Sequence, residues 1–308
     1  MDKPMDVLHG FPVRKTRKQK EAFRTEVLAY AKSLGYEAHT EKGTFGVQNV
    51  VIGDQENARY VVTAHYDTCA RLPFPNLITP CSLALFTAWQ LLLVVILCVP
   101  IGVISGFVGA WIGDYDAVVI LAYLLLFVEL GLMLFGPANR HNSNENTSGV
   151  VTLLETAGSM PLELRGEVCF VLFDLEEGGL LGSAAYRRKH RAATSKQLIL
   201  NLDCVGDGNE ILLFPTGKVK RDRARIQRLK TCCFRNETKS IAVKDRGFSV
   251  YPSDQSNFPN GIGIAAFCRS EWAGLYLAKI HTDKDRNLDE NNVALLRDYL
   301  IAIIRAQA

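Results

Sequence analysis

The side chains best suited to chemistry fall in four short segments: Ala64-His65-Tyr66-Asp67-Thr68, Asp174-Leu175-Glu176-Glu177-Gly178-Gly179, Asn201-Leu202-Asp203, and Ile280-His281-Thr282-Asp283. Imidazole and carboxylate groups together suit zinc and similar divalent ions, and a catalytic site of this kind keeps one position open for water. On an extended segment Asp67 lies two residues beyond His65, close enough to orient the imidazole as a hydrogen-bond acceptor. Adjacent carboxylates in a turn point in different directions. One of Glu176 and Glu177 can therefore hold an ion while the other accepts a proton from water. Asp203 ends the apolar run Leu198 to Leu202, and a charge placed there needs a partner. Taken singly, each has a plainer explanation: a polar pair at a strand end for His65 and Asp67, a solvated acidic turn for Glu176 and Glu177, an ordinary loop histidine for His281. Only as a set do they point to a metal centre.

The elements that must position these groups read as an α/β domain. Residues 16 to 34 carry Phe23, Val27, Ala31 and Leu34 at helical spacing, with Gly35 as a stop signal. Gln48 to Ile52, Tyr60 to Ala64, Val168 to Phe173, Leu198 to Leu202 and Ile262 to Phe267 read as strands, and Asn291 to Ile304 as a C-terminal helix. Ser148 is placed to cap a helix running through Ala157. Alternation of strand and helix predicts a mixed, largely parallel central sheet flanked by helices. Ligands in such sheets sit beyond the carboxyl ends of the strands, which delivers His65, Glu176, Glu177 and Asp203 to one rim.

A hydrophobic insert interrupts this pattern. Residues 72 to 113 contain no charged side chain, and residues 117 to 139 contain only Glu129. A bilayer span needs about 20 mostly apolar residues, so a transmembrane helical hairpin is expected over 72–139, with spans near 82–108 and 118–135. The catalytic domain is then discontinuous, 1–71 and 140–308. Arg71, Arg140 and the basic N-terminal segment flank the outer ends, whereas Trp111, Asp114, Tyr115 and Asp116 mark the tip. By the positive-inside tendency, the expectation is an integral membrane protein with the catalytic domain and both termini cytoplasmic. Glu129, an acid at membrane depth, is expected to be protonated or to pair with Gln90 or another subunit. Gly102, Ser105, Gly106 and Gly109 would permit close helix approach and a homo-oligomer through the hairpin.

Composition narrows the class further. With 35 Lys and Arg against 32 Asp and Glu, spread along the chain, nucleic acid is not an expected partner. The basic stretch Lys218 to Lys230 reads as a solvated helix face in preference to a lipid contact. Eight cysteines without CxxC spacing, several inside apolar runs, favour a reducing compartment. Arg14, Lys15, Arg17, Lys18 and Lys20 are followed by no apolar run, so no secretory signal peptide is expected. Cys69 and Cys204 adjoin the candidate ligands, where packing thiols account for them and the His and carboxylate set is already sufficient.

Five segments taken in order, AHYDT (64–68), NENTSGV (144–150), DLEEGGLLGS (174–183), NLDCVG (201–206) and HTDKD (281–285), resemble the M28 metallopeptidases, the co-catalytic zinc aminopeptidases and their relatives. The resemblance covers nearly the whole chain apart from the hairpin. It implies two divalent ions, zinc by type: one held by His65 and Asp203, the other by Glu177 and His281, with Glu145 bridging them. It also implies Glu176 as general base, Asp67 holding His65, and a substrate pocket near Ser253, Asp254 and Phe258. Position 145 departs from the family, which usually has Asp there, and Asn144 replaces another common acid. The activity implied is removal of N-terminal residues from peptides, and the hairpin's entry between His65 and Glu145 places it, by expectation, at the cytoplasmic membrane face, with hydrophobic or membrane-delivered peptides favoured. A carboxypeptidase, a glutaminyl cyclase, and an inactive receptor-like or scaffold relative are the alternatives on the same fold.

Overall fold

The computed structural model describes residues 1 and 3–306. Its frame is a mixed sheet of strands β1 (Ala38–Lys42), β2 (Gln48–Ile52), β3 (Tyr60–His65), β4 (Val168–Phe173), β5 (Leu198–Leu202), β6 (Glu210–Pro215), β7 (Ser240–Val243), β8 (Gly261–Ser270) and β9 (Gly274–Tyr276). The order across the sheet is β1-β2-β4-β3-β5-β8-β6-β7, with β9 added to the end of β8. The four central strands β4, β3, β5 and β8 run parallel, while the β1–β2, β2–β4, β6–β8 and β8–β9 pairings are antiparallel. All of β3, β4 and β5 is buried, which explains why these strands read as continuous apolar runs instead of alternating ones.

Because side chains alternate across a strand, the sheet has two apolar faces. Val50, Ile52, Val62, Ala64 and Leu200 pack under helices Arg17–Ser33, Gly149–Ser159 and Glu290–Arg305. Val51, Val61, Val171, Phe173 and Ile199 pack on the other face with Tyr186 and Phe258. Helix Arg17–Ser33 begins with a capping box in which Thr16 Oγ1 accepts from Gln19 N–H and the Gln19 side chain accepts from Thr16 N–H. Two residues of the basic N-terminal segment are interior. Arg14 is fully buried and donates to the carbonyls of Tyr66 and Phe11 and to Thr147 Oγ1, and buried Lys20 pairs with Asp174 at 2.6 Å. The stretch from Lys218 to Lys230 forms two short helices, Gly217–Arg221 and Arg223–Thr231, that bury Val219, Ile226 and Leu229.

Between β3 and helix Gly149–Ser159 the chain leaves the sheet as two apolar helices, Leu83–Ile112 and Tyr115–Phe135. At 1.5 Å per residue they are about 45 and 32 Å long, against about 30 Å for a bilayer core. Ser82 Oγ accepts from Leu85 N–H at the first N-terminus and Asp114 Oδ1 from Asp116 and Ala117 N–H at the second; the first helix runs on to Ile112 and the second starts at Tyr115, so both reach nearer the tip than the expected 82–108 and 118–135. Their apolar side chains project outward; Phe107, Trp111 and Phe135 are among the exposed ones. Ser105 and Gly109 are buried within the hairpin, and a side chain at Gly109 would collide with Val118. Close approach at these two positions is therefore used inside one chain, leaving Gly102 and Gly106 open. Glu129 Oε2 and Trp89 Nε1 are enclosed without hydrogen-bond partners, and the expected Glu129–Gln90 pairing does not form among the described residues.

The roots of the hairpin are tied to the domain. Ala70 pairs with Ala138 and Ile78 with Leu277, Arg71 N–H donates to Pro137 O, Asn139 N–H to Cys69 O, and Leu72 N–H to His281 O.

Candidate metal centre

His65 is the last residue of β3, and Asp203 follows the last residue of β5, its neighbour in the sheet. The Glu176–Glu177 turn follows β4 on the other side of β3. Parallel strands thus bring the three segments to one rim, as expected from their order. The His65 ring is fully buried, with Nε2 at 2.9 Å from Glu145 Oε1 and 3.7 Å from Asp203 Oδ1. Its other nitrogen, Nδ1, faces Asp67 Oδ1 at 3.5 Å. Asp67 also accepts the N–H groups of Glu176 (3.0 Å) and Glu177 (3.3 Å), so one carboxylate orients the imidazole and the acidic turn together. His281 Nε2 lies 3.7 Å from Glu177 Oε1, and each of these side chains is 19% exposed. That exposure puts the mouth of the site on their side, since His65 and Asp203 are enclosed.

The backbone is held in uncommon conformations where these groups are presented. Leu175, Cys204 and His281 all have positive φ near 55–60°, a region that costs a non-glycine residue about 1 kcal/mol or more. Leu175 precedes Glu176, Cys204 follows Asp203, and His281 is itself a candidate ligand.

The loop carrying Glu145 is fixed by residues whose roles the sequence did not disclose. Buried Asp285 accepts the N–H groups of Asn144 and Glu145 at 2.8 and 2.9 Å. Asn144 Oδ1 accepts from Gly206 and Asp207 N–H and so ties this loop to the one after β5. Asn146 bridges the same two loops, accepting from Gly149 and Cys204 N–H and donating to Leu202 O. Ser148 does not cap the helix it precedes; its hydroxyl donates to Asn144 O and accepts from Val205 N–H, and the Asn146 side chain serves Gly149 N–H in its place. Asp285 lies in the quoted HTDKD segment and Asn144 and Asn146 in NENTSGV, but only the fold shows which backbone groups they meet.

Electrostatics follow from packing so many acids around two imidazoles. Burial would depress the His65 imidazole, but Glu176, Asp203, Asp67 and Glu145 raise it well above the usual histidine range. His281 is raised too, with burial opposing and Glu177 and Glu145 prevailing. Burial, followed by repulsion from Glu177, Asp254 and Asp203, holds the Glu176 carboxyl well above its ordinary value. Glu177 is pushed up to about 7 by burial and Glu145, with His281 opposing. Asp254 reaches about 7 by burial. Asp67 and Asp203 stay below the usual carboxylate range because bonding to His65 outweighs their burial.

Whether such a site fits a metal is answered by its donor atoms. Among the described residues three groups bring potential ligand atoms within 4.8 Å of one another: His65 with Glu145 and Asp203, His65 with Glu176 and Glu177, and Cys69 with Glu177 and His281. Asp203 Oδ1, Glu177 Oε1 and His65 Nδ1 have no hydrogen-bond partner although their atoms are buried. Orphaned carboxylate oxygens converging on an imidazole are costly in a core and fit a divalent cation. All five expected ligands, His65, Glu145, Glu177, Asp203 and His281, are brought to this rim. Glu145, however, sits in the His65 and Asp203 half: its second oxygen, Oε2, accepts from Cys204 Sγ at 2.5 Å.

The remaining expected positions lie deeper. Ser253 Oγ accepts from Asn201 Nδ2 at 3.0 Å. Asp254 is fully buried with neither carboxylate oxygen bonded. Phe258, 2% exposed, stacks on Phe173 in the core instead of facing the mouth. A cavity of about 650 Å³ lies at the opposite rim, where Tyr60 and Leu198 start β3 and β5, away from these donors.

The model of peptidase family M28 matches residues 138–303, more than half of the chain. The chain belongs to this family. No curated protein matches it in sequence. Solved structures of similar fold include a glutaminyl cyclase from Porphyromonas gingivalis (TM-score 0.60, 16% identity, 97% of this chain and 94% of that one). The LapA aminopeptidase of Legionella pneumophila is similar at TM-score 0.59 and 12% identity over 99% of this chain and 71% of that one. A Zn-dependent exopeptidase from Parabacteroides distasonis is similar at TM-score 0.57 and 14% identity, with 96% and 93% covered. At such identities the likeness is one of fold. M28 membership and the donor set together make the protein a metallopeptidase by family, with a centre suited to divalent metal.

Proposed function

We propose that the protein is a membrane-anchored metallo-aminopeptidase that removes N-terminal residues from peptides at the cytoplasmic membrane face. The observation that carries this reading is the Glu176–Glu177 turn, held by Asp67 between two sets of metal donors. Two divalent ions, zinc by donor type, would polarise the scissile carbonyl and acidify water when bound. His65, Asp203 and Glu145 would hold one, and Glu177 with His281 the other, Glu145 bridging if its second oxygen turns from Cys204.

Glu176 is the acid left free to move protons. Its raised affinity for a proton suits a group that takes one from the attacking water and returns it to the leaving amine. Asp67 keeps His65 Nε2 turned toward the ligand set by facing Nδ1. Ser253 and Asp254 would bound the substrate subsite from within, with Phe258 packed behind them on Phe173.

The anchor is the apolar hairpin. Its outward side chains are exposed among the described residues, and burying them in lipid removes a large apolar surface from water. Trp111 and Tyr115, 84% and 80% exposed at the tip, suit the far interface. Arg71 and Arg140 lie at the roots, and Lys15 Nζ donates to Leu134 O there. With Leu72 bonded to His281, the mouth lies close to the bilayer surface, which favours hydrophobic or membrane-delivered peptides. Gly102 and Gly106 offer a face for a second copy.

The deciding experiment is mass spectrometry of a peptide with N-terminal Gln after incubation with detergent-purified protein and zinc. Stepwise loss of N-terminal residues supports the aminopeptidase. Loss of ammonia without cleavage identifies a glutaminyl cyclase, C-terminal loss a carboxypeptidase, and no product with any peptide points to an inactive relative.

A further inference from the structure

The two halves of the centre differ in how many ligands they own. The half at His65 has three protein donors, with Glu145 and Asp203. The half at His281 has only Glu177 from the expected set, because Glu145 directs one oxygen to His65 and the other to the Cys204 thiol. Zinc in a catalytic site ordinarily takes three protein ligands and one open position. With Glu145 turned to His65 and Cys204, the His281 half is one donor short.

Cys69 stands where that donor is needed. Its Sγ lies within 4.8 Å of donor atoms of both Glu177 and His281, and the residue is fully buried. Glu177 Oε1, facing the same space, is a buried atom without a hydrogen-bond partner. Bond lengths of about 2.0–2.2 Å around tetrahedral zinc put neighbouring nitrogen and oxygen donors about 3.3–3.5 Å apart, and the 3.7 Å between His281 Nε2 and Glu177 Oε1 is slightly wider than that. The thiol is also held in place. Cys69 O accepts from Asn139 N–H, Ala70 pairs with Ala138, and Leu72 N–H bonds His281 O, so the hairpin root clamps the backbone on both sides of the ligand pair.

We propose that Cys69 is the third protein ligand of the metal ion at Glu177 and His281, making this half of the centre a sulfur, oxygen and nitrogen site. Binding breaks the S–H bond, releases the proton to solvent and forms a metal–sulfur bond. The inference rests on the two-metal reading above. It makes the two halves chemically unlike: a thiolate selects zinc or cobalt over magnesium or manganese at one of them. It also makes the hairpin root part of the ligand frame.

The test is optical and does not depend on turnover. Full-length protein in detergent is loaded with Co(II), cobalt per chain is counted by elemental analysis, and the near-ultraviolet thiolate-to-cobalt charge-transfer band is recorded for wild type, Cys69→Ser and Cys204→Ser. The expected result is a band in wild type and in Cys204→Ser, and none in Cys69→Ser, with one cobalt fewer or more weakly held. Cys69→Asp, which supplies an oxygen donor and serves if the serine variant does not fold, should restore the second cobalt without the band. Cobalt-loaded wild type without the band overturns the proposal, and so does a band that survives Cys69→Ser but is lost in Cys204→Ser. Failure of the wild type to take up a second cobalt removes the two-metal reading itself, an outcome the wild-type cobalt count separates from loss of the thiolate alone.

Discussion

Asp285→Asn is the substitution that most sharply separates a held ligand loop from a loosely placed one. The wild-type carboxylate accepts Asn144 and Glu145 N–H at 2.8 and 2.9 Å, and the residue is 1% exposed. An amide keeps one acceptor and turns an NH2 group toward the second N–H. The loss is one hydrogen bond to a charged acceptor, worth about 1.5–3 kcal/mol, with a buried donor left over. Taking about 2–3 kcal/mol as the cost to the loop conformation, metal affinity should fall about 30- to 140-fold, at 1.4 kcal/mol per factor of ten. Burial pushes the Asp285 carboxyl up to about 7, so the variant differs most from wild type above that pH, where the wild-type group is ionised. The assay is competition for zinc against a chromophoric chelator at about pH 8 and again at about pH 6, with circular dichroism confirming the fold. Equal zinc affinity of the two proteins at the higher pH would refute the claim that Asp285 positions Glu145.

Three further outcomes are expected. Glu177, Asp254 and Asp285 all sit at about 7 in the metal-free fold, above their unfolded values, so their contribution to stability is present at low pH and lost as pH rises through about 7. Thermal unfolding should therefore show a larger gain from zinc above that pH than below it, and a constant gain would contradict the assignment. Arg14→Ala should lower stability by about 3 kcal/mol or more, measured by denaturant unfolding, because it strands Tyr66 O, Phe11 O and Thr147 Oγ1 in the core. A wild-type midpoint would show these bonds to be dispensable. Asp116→Cys, at the hairpin tip, should react with a membrane-impermeant maleimide added outside intact cells; labelling no greater than that of the parent protein would contradict the orientation proposed.

Strand runs were legible where burial on both faces leaves an unbroken apolar signal, as in Val168–Phe173 and Leu198–Leu202, whose bounds the sequence gives directly. Edge strands were not. Ala38–Lys42 contains His39, Glu41 and Lys42 and carries little apolar pattern, and it forms because β2 offers it a partner in register. The ligand types were legible because His65, the acidic pair and Asp203 all follow strands. What spacing cannot show is which oxygen meets which nitrogen: that Glu145 is shared between His65 and a thiol, or that Cys69, which reads as a packing thiol, lies beside His281 across the hairpin root. Arg14 and Lys20 mislead for a related reason. A basic residue looks solvent-exposed until the fold supplies the carbonyls and carboxylate that let it be buried.

Metal content and peptide hydrolysis, measured on the same detergent-purified preparation for wild type, Glu176→Gln and Glu145→Asp, test the metallopeptidase account most directly. The account predicts two zinc-type ions per chain in all three proteins, N-terminal hydrolysis by wild type and Glu145→Asp, and a fall of about 10²- to 10⁴-fold in Glu176→Gln, the range for a lost general base. Metal-free protein that is fully folded, or hydrolysis unchanged in Glu176→Gln, would contradict it.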